Sequence, residues 1–127
     1  MENTIEQKTF HQMKADFEKA KKGFQDQLEE KKALHLELSK KASKMMDGEY
    51  NIDVYSAYTD IGIEKYQLER DMEILDFQIE SMGMYIAETD KFIEIENSIK
   101  AMDKEAAEMA EFSMKQLAEI EQQIEQN

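Results

Sequence analysis

The sequence predicts an all-α protein, either an antiparallel three-helix bundle or a long helical hairpin with coiled-coil-like packing. Three observations carry that expectation. The 127 residues contain no Pro and only four Gly, so little interrupts a helix. Glu, Lys, Ala, Met, Ile and Gln dominate the composition, which favours helix. Apolar residues recur at steps of three and four along most of the chain, the spacing of a helix that buries one stripe. The length suits a single domain, residues 1–127, with helices expected at about 4–46, 54–88 and 90–126.

The first helix is expected from Thr4 to Met46. Its stripe runs Phe10, Met13, Phe17, Ala20, Phe24, Leu28, Leu34 or His35, Leu38, Ala42 and Met45. Gly23 lies inside it, costs about 1 kcal/mol relative to Ala, and is read as a close helix crossing in preference to a local break. Gly48 follows the last periodic residues and suits a left-handed cap. Residues 49–55 alternate polar and apolar, a strand-like pattern in isolation. With no second strand to pair with, the segment reads as an extended connection. Tyr50 and Ile52 then tuck against the bundle, and Asn51 or Asp53 caps the next helix.

From Val54 the pattern is a coiled-coil seam: Val54, Tyr58, Ile61, Lys65, Leu68, Met72, Leu75, Ile79, Met82 and Ile86, strictly alternating four and three. Lys65 is its one polar member. Ile63, Tyr66, Ile74 and Phe77 form a second apolar strip beside it, which predicts that this helix meets two partners. The stripe then changes register. Its continuation would place Thr89, Glu96, Lys100 and Asp103 in the core, whereas the apolar residues become Phe92, Ile95, Ile99, Met102, Ala106 and Met109, then Leu117, Ile120 and Ile124. Two arrangements fit: a turn between Gly83 and Lys91 capped by Thr89 or Asp90, or one continuous helix with a stutter. Balanced lengths favour the turn, and therefore three helices.

Charge is unevenly shared. The formal net charge is −13, yet residues 1–46 hold ten Lys against eight acids, while residues 47–127 hold six bases against 21 acids. One account is that a mildly basic first helix packs on acidic partners, with the charges setting register more than stability. The other is that the acidic part presents a surface to a basic partner or keeps the chain soluble. A strongly acidic chain with a single Arg, Arg70, is not expected to bind nucleic acid, whose phosphates must be neutralised.

The residues offer little chemistry. Without Cys there is no disulfide, thiolate metal site or thiol nucleophile. His11 and His35 lack the acid three residues earlier that inward-facing di-metal sites in bundles use. No serine elbow or glycine-rich phosphate loop is present. Asp47, Glu49, Asn51 and Asp53 are spaced like the first half of a calcium loop, but Ile52 and Tyr58 occupy the positions that need Gly and Glu, and a turn followed by a helix cap explains the same residues. The reading is therefore of a protein that is not an enzyme and uses no cofactor or metal. The longest apolar run, Met84–Ala87, is far short of a membrane span, and no signal-peptide pattern opens the chain. A cytoplasmic location without membrane insertion is expected, with export by a signal-peptide-independent route left open.

What remains is surfaces. Ten Met mostly serve as core fillers, but flexible Met-rich surfaces also hold varied partners. Met45 and Met46 beside Tyr50, Ile52 and Tyr55 form one apolar cluster, and Met82, Met84 and Tyr85 beside Ile86 form another. These are the candidate partner-binding residues, for another protein or for a second copy of the chain. Size, acidity and exposed Met and Tyr are similar to the general profile of secretion chaperones and phage assembly factors. That profile implies a small acidic helical chaperone, adaptor or assembly factor that holds an amphipathic segment. Alternatives are a self-assembling scaffold or filament subunit, and an acidic inhibitor that mimics nucleic acid.

Overall fold

The computed structural model describes residues 8–126, which form a hairpin of two helices, α1 (Phe10–Met46) and α2 (Ile52–Glu125). Residues 4–7, the expected start of the first helix, lie outside the described residues. α1 begins on a capping box: the Thr9 hydroxyl accepts from the Gln12 N–H at 3.1 Å, and the Thr9 N–H donates to Gln12 Oε1 at 2.9 Å. At its other end the Asp47 N–H donates to the Lys44 carbonyl at 3.3 Å and the Gly48 N–H to the Met45 carbonyl at 3.4 Å. Such short-range bonds tighten the last turn without a left-handed residue. Gly48 is accordingly not a left-handed cap, and no described residue has positive φ. Asn51 then caps α2, its Oδ1 accepting from the Val54 N–H at 2.9 Å.

The helices run antiparallel, and each advance along α1 is matched by a retreat along α2. Phe10 stacks on Phe92, Phe17 lies against Tyr85, Lys31 pairs with Asp71 at 3.4 Å, and His35 Nε2 donates to Glu69 Oε1 at 3.0 Å. Leu28, Ile61 and Leu75 are the buried apolar residues of the seam. Two helices can bury only the faces they turn to each other, so the core is a single line of side chains. The structure also decides one open position. His35 is half-buried at the seam, while Leu34 is exposed. Gly23 has nothing within 4 Å of where a Cβ would stand, so it marks neither a close crossing nor a break.

The expected turn between Gly83 and Lys91 is absent, and α2 runs unbroken through it. Of the two arrangements that the sequence left open, the molecule adopts the hairpin. Both proposed caps have other work. Thr89 is buried at 4% exposure in the seam, its hydroxyl donating to the Tyr85 carbonyl at 2.7 Å. Asp90 reaches across to Lys14 Nζ at 2.7 Å. The α1-facing register thus passes through Thr89 and stops where α1 begins, at the level of the Phe10–Phe92 stack.

Beyond that point, among the described residues, α2 continues without α1 beside it. Residues 93–125 extend past α1 by roughly 50 Å at 1.5 Å per residue. On this overhang Ile95, Ile99, Met102, Met109, Leu117, Ile120 and Ile124 are each more than half exposed. Their stripe stands one residue back from the α1-facing positions, a rotation of about 100° around the helix. The second strip on the hairpin, Ile63, Tyr66, Ile74 and Phe77, is likewise exposed.

Candidate functional site

The closed end of the hairpin gathers the first predicted cluster. Met45 and Met46 close α1, the link carries Gly48 and Tyr50, and the first turns of α2 bring Val54, Tyr55 and Tyr58 round to them. Together these residues line an open cleft of about 350 Å³. The link is short, and Asn51 fixes the direction of α2 by capping it, so the two chain directions meet around the aromatic rings. Tyr50 and Tyr55 meet edge to face with centroids 6.2 Å apart, a favoured arrangement for aromatic pairs. The Thr59 hydroxyl donates to the Tyr55 carbonyl at 2.9 Å, within the same turn of the helix.

Burial differs sharply within the cluster. Met45 is half-buried at the end of the seam, whereas Met46 is exposed, Tyr50 is 81% exposed and Ile52 is 82% exposed. Ile52 stands beside the cleft and does not line it, and neither it nor Tyr50 tucks against the hairpin. Val54 and Tyr58 belong to the cleft and were read from sequence only as seam positions. Their place at the start of the seam, one and two turns from the link, is the signal that would have found them.

The second predicted cluster is not brought together. Met82 is half-buried in the seam, Met84 points to solvent, and Tyr85 packs against Phe17 of α1 at a centroid separation of 5.4 Å. Neighbouring residues on a helix diverge by about 100°, so closeness in sequence did not make a patch.

The electrostatics separate the hairpin from the overhang. Across the hairpin, bases of α1 meet acids of α2 at Lys14–Asp90, Lys31–Asp71 and His35–Glu69. Hydrogen bonding to Asp90, helped by the attraction of its charge, raises the Lys14 ammonium above its ordinary value. Among the described residues the overhang has only pairs within the helix, Lys100 with Glu96 at 3.1 Å and Lys115 with Glu111 at 3.6 Å. Among the described residues no group of three His, Asp or Glu is placed to hold a metal ion. The residues of the calcium-like spacing act at the helix ends: Asp47 closes α1, Asn51 caps α2 and Asp53 sits in its first turn. No helix of the described residues is long and apolar enough to cross a membrane.

Comparison of the chain with protein-family models, curated proteins and solved structures finds no match. Geometry and chemistry are therefore the basis for a functional reading.

Proposed function

We propose that the protein is a non-enzymatic adaptor or assembly chaperone that grips an apolar segment of another protein at the closed end of the hairpin. The observation that carries this reading is the Met and Tyr cleft itself. Its floor is made by Met45 and Val54 of the seam, and its rim by Met46, Tyr50 and Tyr55, which remain exposed. Large aromatic side chains with few rotors lose little entropy on contact, and Met adapts to the shape it meets. An open cleft of this composition suits two or three apolar side chains of a helix or loop. The acids Asp47, Glu49 and Asp53 around it favour a segment that also carries positive charge.

The test is recovery of the bound protein from the native host in low and high salt. Retention at about 0.5 M salt is expected, because exposed charges are then screened over a few ångströms while apolar contacts persist. Tyr50→Ser with Tyr55→Ser should release the partner without loss of helix content, since both side chains line the cleft and are exposed. A partner held equally well by that double variant would place binding elsewhere and overturn the assignment.

A further inference from the structure

The geometry points to a second copy of the chain as the occupant of the overhang stripe, docked parallel, α2 against α2, over residues 95–124. A solitary helix of this length gains little from intrinsic propensity in water, because helices are held mainly by packing of an apolar face. Here that face exists and, past Phe92, meets nothing among the described residues. From Phe92 the steps run three, four, three, four, three to Met109, then four to Ser113 and four to Leu117, and finish three, four at Ile124. This is a heptad seam with one stutter, which two parallel copies match layer for layer. The large side chains on it offer roughly 100 Å² apiece for burial. With their flanks they approach the ~800 Å² per partner of a stable interface.

Charge selects the direction. In a parallel pair, the residue before one seam layer faces the residue five positions later on the other copy. That sets Lys91 opposite Glu96 of the second copy, and the reverse, while Ser98 meets Asp103, Glu105 meets Ala110 and Gln116 meets Glu121. One opposite-charge contact occurs twice and no like charges meet. An antiparallel pair over the same stripe sets Glu96 against Glu121, also twice. The contact ends toward the hairpin at Glu88, which interrupts the stripe between Met84 and Ile95 and would face its own copy. Because the stripe is rotated from the α1-facing side, a second copy docks without displacing α1.

Sedimentation of the full chain from about 1 to 100 μM tests this. The expected result is a mass rising to twice 14.9 kDa. Ile99→Glu with Ile120→Glu should weaken association more than a hundredfold while the helicity of the hairpin is retained, because both positions are exposed. Lys91→Glu should weaken it about three- to tenfold, as expected for two exposed ion pairs, and adding Glu96→Lys should recover it. The chain has no Cys, so Ile120→Cys reports direction: mild oxidation should link the parallel dimer covalently. A monomer at 100 μM, or a dimer unaffected by the double Glu variant, overturns the proposal. A dimer that Ile120→Cys fails to cross-link overturns the parallel arrangement. The cleft variant Tyr50→Ser with Tyr55→Ser should leave the dimer intact, which separates this test from that of the adaptor reading.

Discussion

Phe10 and Phe92 stack with ring centroids 5.4 Å apart and planes inclined by 14°, at the level where α1 begins and α2 runs on past it. The pair closes the open end of the hairpin seam and separates two regimes of one helix. Before it, α2 is held by tertiary packing; after it, by its own hydrogen bonds and whatever docks on its stripe.

The seam is narrow, so its few buried residues matter. Leu75, at 5% exposure, stands at the same level as Leu28 of α1, and Leu75→Ala should cost about 2–5 kcal/mol. Ile79 is half-buried, so Ile79→Ala should cost less. Urea unfolding followed by far-ultraviolet circular dichroism measures both. Equal and negligible losses would mean that the helices do not pack through this face.

Thr89 places a hydroxyl where an apolar side chain would fit. Its oxygen bonds back to the Tyr85 carbonyl of its own helix, a bond that adds little to helix stability. Thr89→Val should therefore raise stability by about 1 kcal/mol, and Thr89→Asp should lower it by burying an unpaired charge. Thermal midpoints of the two variants should move in opposite directions.

Lys14 gives a pH signature. Its bond to Asp90 raises the folded-state pKa above 10.5. The stabilisation is therefore complete below the ordinary lysine range and disappears as pH rises through the raised folded value. The difference in thermal midpoint between the natural chain and Lys14→Gln should be constant through neutral pH and close in strong alkali. A difference that changed between pH 5 and 8 would assign the effect to another group.

Hydrogen exchange should divide α2 at Phe92. Amides from Ile61 to Thr89 should exchange slowly at every concentration, since the hairpin protects them within one chain. Those from residues 97 to 125 should exchange fast in dilute solution and slow as concentration rises, because association stabilises only what it covers. Slow exchange of the overhang at high dilution would contradict its dependence on a partner.

Much of this architecture is legible in the residues. The three-four spacing from Val54 to Ile86 identifies the α1-facing seam, and the change of stripe near Phe92 marks where α1 stops. What periodicity does not encode is which partner a stripe faces. Thr89 reads as a cap because it is polar, although a helix end needs backbone groups to satisfy and this helix has none there. Gly48 reads as a left-handed cap, but short-range bonds from Asp47 and Gly48 close α1 instead. Thr9 and Gln12, by contrast, carry a complete capping-box signature and fix the start of α1. The Met45, Met46, Tyr50 and Tyr55 cluster is readable because a turn folds neighbours in sequence onto one another. Met82, Met84 and Tyr85 fail because the helix that carries them fans them apart.

The continuity of α2 has a mechanical consequence. With no proline, no positive φ and no break between Ile52 and Glu125, the helix is a rod of roughly 110 Å. The Tyr cleft sits at one end and Glu125 at the other. A segment bound at the cleft would be held at a set distance from anything docked near Glu125, and the length of α2 would act as a ruler.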